Sequence, residues 1–128
     1  MMYFFEIHKK ICYNIYMKKE NMMKIWVDDI RPAPEGYIWL KSVNETIEYL
    51  SRMLYPPFGI FGNKIFGVDV IDLDHDAGEY AKDGGDYIKI LDWLEENNRS
   101  YPIHLHTMNP VGRMNMRAII QKNGWKEI

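Results

Sequence analysis

The sequence predicts an α/β domain: a parallel β-sheet covered by helices. Three observations carry that prediction. Apolar runs alternate with segments of helical spacing in the order β, β, α, β, α, β, α, β, the alternation that parallel strands joined by crossover helices require. Val68–Leu73 is a near-continuous apolar run, broken by Asp69 and Asp72, as suits a central strand buried on both faces. Three of the strands end in polar clusters, and ligands of open parallel sheets bind at that edge.

Lys24–Val27 reads as the first strand and ends in Asp28-Asp29. Arg31-Pro32-Ala33-Pro34-Glu35-Gly36 reads as a loop from its Pro and Gly content, and Tyr37–Leu40 as the second strand. Ser42-Val43-Asn44-Glu45 fits a capping box, after which Val43, Ile47, Leu50 and Leu54 recur at helical spacing until Pro56-Pro57. Phe58–Gly67 is rich in Gly and aromatics and reads as a small hairpin around Gly62-Asn63 or as a loop or lid. After the third strand, Asp83-Gly84-Gly85-Asp86 is expected to open a helix carrying Tyr87, Ile90, Leu91 and Leu94 on one face. Pro102–Leu105 is the fourth strand. The next helix has Met116, Ile119 and Ile120 inward and stops at Asn123-Gly124, and Trp125–Ile128 is a short last strand.

The chain has 128 residues, room for one domain, assigned to residues 22–128. Residues 1–21 carry four Lys against two Glu without clear periodicity and read as a poorly ordered extension. A net charge of −2 announces no basic field for nucleic acid, although a short RNA end or a free nucleotide needs only local charge. The single cysteine, Cys12, excludes an internal disulfide and a Cys-x-x-Cys zinc site. No apolar run approaches a membrane span and the N-terminus lacks signal-peptide patterning, so no membrane partner and a cytoplasmic location are expected.

The polar tips are Asp28-Asp29, Asp74-His75-Asp76 and His106-Thr107-Met108-Asn109. Clustered carboxylates repel unless a cation neutralises them, so Asp28, Asp29, Asp74 and Asp76 are the candidate ligands of a divalent metal, Mg²⁺ or Mn²⁺. By the period-2 rule Asp72 shares a strand face with Asp74, and His104 with His106. His75 and His106 are candidate general acids or bases, with Asp74 beside them. Asn109-Pro110-Val111-Gly112-Arg113 opens a helix, where free N–H groups attract anions. Arg31, Thr107, Asn109, Gly112 and Arg113 are therefore the candidate phosphate contacts. His104 reads as a satisfied core histidine, the Trp and Met residues as core, and Asp83 and Asp86 as helix-start residues.

The motifs Trp26-Val27-Asp28-Asp29-Ile30-Arg31-Pro32, Leu73-Asp74-His75-Asp76 and His106 through Met116 resemble the cyclic-phosphate-processing receiver-like domain family, over about residues 24–128. The resemblance implies a receiver-like (flavodoxin-like) five-stranded parallel sheet in the order 2-1-3-4-5 with reduced first and last helices. It also implies one active site built from the three motifs, acting on a cyclic phosphate such as a cyclic nucleotide or an RNA 2′,3′-cyclic end. Receiver domains carry an acidic pair after the first strand, an acceptor Asp after the third, a Thr or Ser after the fourth and a Lys after the fifth; Asp28-Asp29, Asp74 and Thr107 match. The Lys does not match, because Lys126 falls inside the last predicted strand, and no full helix fits between Asp29 and Tyr37. That departure counts against a phosphorelay switch. The expected function is a metal-assisted phosphoesterase. The alternatives are a module that binds a cyclic nucleotide or phosphorylated end without turnover, and a degenerate receiver used for protein interaction.

Overall fold

The computed structural model of the protein describes residues 22–53 and 67–128. It contains strands β1 (Met22–Val27), β2 (Tyr37–Leu40), β3 (Gly67–Leu73) and β4 (Ile103–Leu105). Its helices are α1 (Val43–Arg52), α2 (Ile88–Glu96) and α3 (Pro110–Lys122), with a 3₁₀ segment at Gly78–Asp83. All neighbouring strands are parallel, in the order β2-β1-β3-β4. Pairing puts Ile25 level with Ile38 and Ile71, and Ile71 level with Ile103. With Val27, Leu73 and Leu105 they form the floor on which Leu50 of α1, Ile90, Leu91 and Leu94 of α2, and Met116 and Ile120 of α3 pack. The other sheet face has a different character. Trp26 is level with Trp39 and Asp72, and Asp72 with His104, so a row of aromatic and polar side chains crosses the sheet opposite the core.

The β1–β2 connection contains no helix, as expected, and closes in a turn with Tyr37 N–H donating to the Pro34 carbonyl at 3.1 Å. Half of the capping box forms at α1: Ser42 Oγ accepts from Glu45 N–H at 3.0 Å, whereas Glu45 reaches back one residue further, accepting from Lys41 N–H at 3.3 Å. Leu54, Pro56-Pro57 and the suggested hairpin at Gly62-Asn63 lie outside the described residues, as do residues 1–21.

Two expectations are corrected. Among the described residues the sheet has four strands in the order 2-1-3-4, without a full fifth strand. Trp125–Ile128 does run beside the free edge of β4, but only as a single parallel bridge from Glu127 to Ile103, with Ile103 N–H donating to Lys126 O and Ile128 N–H to Ile103 O. The left-handed turn at Gly124 (φ +66) ends α3 just before this segment. Nor does Asp83–Asp86 open α2. Gly84 and Gly85 adopt φ of +117 and +96, which breaks the chain between the 3₁₀ segment and a helix that begins at Ile88. A Cβ on Gly84 would lie 2.8 Å from Val43 Cβ, so the break also lets this loop press against the start of α1.

Candidate functional site

The carboxyl ends of β1, β3 and β4 meet at one edge. The parallel strands run in the same direction, so each delivers the polar residues that follow it to the same edge. His106, two residues beyond His104 on the same face, lies between two carboxylates. Its Nε2 is 2.9 Å from Asp28 Oδ2 and its Nδ1 is 2.6 Å from Asp72 Oδ1. Asp72 Oδ1 also faces His104 Nδ1 at 2.9 Å. Only the doubly protonated imidazolium donates to both neighbours. Burial by itself lowers the His106 pKa, but the bonds to Asp72 and Asp28 and their charges outweigh it and hold the pKa above the ordinary value of 6.5.

Two indoles frame this group. The Trp26 ring stacks on His106 with centroids 3.8 Å apart and planes 3° from parallel. Trp26 Nε1 donates to the Arg31 carbonyl at 2.9 Å and Trp39 Nε1 to the Asp28 carbonyl at 2.7 Å, so the loop after β1 is held at both ends. Asp28 is 1% exposed, and its Oδ1 accepts the N–H groups of Ile30 and Arg31. Burial pushes the Asp28 pKa up, yet those two N–H donors together with His106 bring it below the ordinary value. Asp29 goes the other way: burial and the charges of Asp28 and Asp74 raise it, outweighing a backbone bond that lowers it. A Cβ on Gly78 would lie 2.3 Å from Asp29 Oδ2, so glycine at that position (φ +55) leaves the carboxylate its place.

A second group lies on the β3–α3 side. His75 Nδ1 is 2.9 Å from Asp76 Oδ1, and Asn109 Nδ2 donates to both Asp76 oxygens at 3.3 and 3.4 Å. Asn109 Oδ1 caps α3 by accepting from Gly112 N–H at 3.0 Å, and Thr107 Oγ1 accepts from Asn109 N–H at 3.0 Å. The His75 ring lies against Gly112 so closely that a Cβ there would come within 2.4 Å of it.

Comparison with known families decides the identity of this arrangement: residues 23–122 match the cyclic-phosphate processing receiver domain. The chain belongs to that family. No curated protein and no solved structure matches it. In this receiver domain Asp28-Asp29 follow β1, Asp74 follows β3, and Thr107, fully buried, lies after β4.

The donor set suits a metal ion. Asp28, Asp74 and His106 each offer a ligand atom, all within 4.8 Å of one another, and Asp29 beside them has its pKa raised by burial first and by the charges of Asp28 and Asp74 second. His106 ligates only after losing a proton, and an imidazole beside two carboxylates then favours Mn²⁺ over Mg²⁺, which prefers oxygen ligands alone. Asp76 belongs to a separate group with His75 and Asp86. Asp86 has in addition a structural task, since its Oδ1 accepts the Ala77 N–H at 3.0 Å.

The proposed phosphate contacts sit at the same edge but are partly engaged. Arg31 Nη1 donates to the His106 carbonyl at 3.3 Å and its Nε is 3.7 Å from Asp28 Oδ2. Arg113 Nη2 donates to the Thr107 carbonyl. Pro110 has no N–H and Gly112's is taken by Asn109, which leaves Val111 as the first-turn donor that no bond among the described residues engages. Reading Trp as core missed Trp26 and Trp39, and reading His104 as core missed its contact with Asp72. The available signal was a polar or aromatic residue at every second position of otherwise apolar strands: Lys24, Trp26, Asp28; Asp72, Asp74; His104, His106. Among the described residues no helix is long and apolar enough to cross a membrane.

Proposed function

We propose that this domain is a cytoplasmic, metal-assisted phosphoesterase that opens a cyclic phosphate carried by a nucleotide or by an RNA end. The observation that supports it best is His106 fixed between Asp28 and Asp72 with Asp74 beside it, at the strand edge of a domain whose family is described by cyclic-phosphate processing. Asp28, Asp29 and Asp74 would hold the metal ion, and His106 could join them only as the neutral imidazole, with one nitrogen released from its carboxylate. When bound, the ion neutralises phosphate charge and polarises the phosphorus toward water. Arg31 and Arg113 supply guanidinium donors to the phosphoryl oxygens, and the Val111 N–H adds a backbone donor.

His75 is the proton-transfer residue of this reading. Its Nδ1 faces Asp76, which fixes the ring and its tautomer, and its Nε2 is then available to take a proton from water or return one to the leaving oxygen. His106 instead carries charge, because both of its nitrogens are engaged by carboxylates. That same engagement favours the second reading, a module that binds without turnover, since this imidazolium has no nitrogen free to act as a base.

Incubation of the protein with 2′,3′-cyclic and 3′,5′-cyclic nucleotides and a 2′,3′-cyclic-phosphate RNA, with Mg²⁺ or Mn²⁺, read by mass spectrometry, separates the readings. A ring-opened product that is lost in His75→Gln supports the esterase. Binding with no mass change supports the second reading.

A further inference from the structure

We propose that Gly112 is a positioning residue for His75: its bare Cα is the seat on which the imidazole rests, and a side chain there displaces the ring. This rests on the reading of His75 as the proton-transfer residue. Glycines such as Gly84 and Gly124 are explained by a positive φ. Gly112 is not among them, and it lies inside α3, where alanine is the better helix former. Nor is its N–H open to a phosphate, since Asn109 Oδ1 accepts it at 3.0 Å. What the position requires is room. A Cβ on Gly112 would lie 2.4 Å from His75 Cγ, 2.6 Å from Cδ2 and 2.8 Å from Nδ1.

The ring has no easy way to yield. The nearest atom is Cγ, the root of the ring, which stays in place when the ring turns about χ2. Only a swing about χ1 or a shift of the backbone clears it. The His75 backbone is held on both sides: its N–H donates to Asp74 Oδ1 at 2.8 Å, and its carbonyl accepts from Tyr87 N–H at 3.0 Å. A swing about χ1 carries Nδ1 away from Asp76 Oδ1, which lies 2.9 Å from it. Asp76 is tied in turn to Asn109 Nδ2 at 3.3 and 3.4 Å, and Asn109 to the Gly112 N–H. Gly112 therefore closes a circuit. Its N–H orients Asn109, Asn109 orients Asp76, Asp76 orients the imidazole, and the Gly112 Cα leaves the imidazole its place. The circuit fixes where Nε2 points.

A double-mutant cycle of Gly112→Ala and His75→Ala on the full chain tests the seat, read first by melting temperature, which needs no ligand. With His75 present, Gly112→Ala is expected to lower the melting temperature by about 4 °C or more; in the His75→Ala background the same substitution should leave it unchanged or raise it. The second readout is turnover of a 2′,3′-cyclic nucleotide with Mn²⁺. Gly112→Ala should lower kcat by about tenfold or more with KM little changed, since a misplacement of ~1 Å can cost about a hundredfold. In the His75→Ala background it should cost nothing further. If Gly112→Ala alone does not fold, recovery of folding in the double variant supports the seat, and failure in both overturns it. A change in melting temperature of the same sign and size with and without His75 overturns the positioning role and leaves the phosphoesterase reading standing. So does an unchanged kcat in Gly112→Ala beside a wild type that turns over. If the wild type opens no cyclic phosphate, that reading falls; coupling between Gly112 and His75 in the melting temperatures then still supports the seat, and its absence removes both.

Discussion

The two halves of the site are built on different principles. The inner half, Asp28, Asp72, Asp74 and His106, is buried, and its charges are held by backbone N–H groups, by each other and by two indoles. The outer half, His75, Asp76 and Asn109, lies nearer water: the Asp76 side chain is 60% exposed and is oriented by hydrogen bonds alone. Buried charges interact strongly and cannot relax, so the inner half is preorganised for a cation or a fixed proton. Exposed groups are screened and adjustable, so the outer half suits contact with a ligand that comes and goes. Stability and chemistry should therefore separate along this line.

The largest effect is expected from Asp28→Ala. It leaves the Ile30 and Arg31 N–H groups and His106 without their acceptor, and removing one partner of a buried charge network costs about 3–5 kcal/mol. Chemical denaturation of wild type and variant measures it. There is an opposing effect, relief of repulsion with Asp29 and Asp74. If Asp28→Ala is as stable as wild type or more so, repulsion dominates and the inner half is a strained site instead of a self-supporting one.

A divalent ion should stabilise the protein through the inner half. Binding to the folded state at about a hundredfold excess over Kd adds about 2.7 kcal/mol. Mn²⁺ is expected to raise the melting temperature of the wild type but not of Asp74→Asn, while His75→Gln keeps the full shift. A shift lost in His75→Gln and kept in Asp74→Asn would move the metal to the outer group of His75, Asp76 and Asp86.

The pH dependence of the metal-free protein should also come from the inner half. The His106 pKa is raised above 6.5, so the stability it contributes is fully present below that ordinary value and is lost as pH rises through the folded one. The Asp28 pKa lies below its ordinary 3.8, so its contribution is present above that value and lost as pH falls through the lower folded one. Melting temperatures in chelator should decline as pH rises above 6.5, and His106→Gln should flatten that decline. An unchanged slope in the variant would show that another group titrates there.

How much of this was legible in the sequence depends on range. The strand tips were, because an apolar run that ends in Asp or His is a local signal, and the parallel sheet places such ends together. The capping of α1 by Ser42 was legible for the same reason. The partners within the site were not. Nothing local says that Trp26 stacks on His106 or that Asp72 binds it; this follows from the register that sets Trp26, Asp72 and His104 level on three strands. The open anion site expected at α3 was a local reading that overlooked Asn109 as its own cap. The fifth strand was not a full one: Trp125–Ile128 has strand-like residues but makes one bridge.

The smallest effect on stability is expected from Asp76→Asn in the outer half. Its carboxylate is exposed, and the loss of such a pair costs about 0–1 kcal/mol, so the melting temperature should stay within a few degrees of wild type. The amide is nearly the same size and can still meet Asn109, which should flip to suit it. What it changes is His75. A carboxylate accepts only and therefore selects the imidazole tautomer with hydrogen on Nδ1, leaving Nε2 as the basic nitrogen; an amide can donate instead and select the opposite tautomer. Turnover of a cyclic phosphate should then fall by at least about tenfold with folding intact, since fixing the wrong tautomer disables a general base. Nitrogen NMR of the His75 ring reports the tautomer directly. If turnover falls while the His75 tautomer is unchanged, Asp76 acts on the substrate itself, and if stability falls as far as in Asp28→Ala, the two halves are one network and the separation between them does not hold.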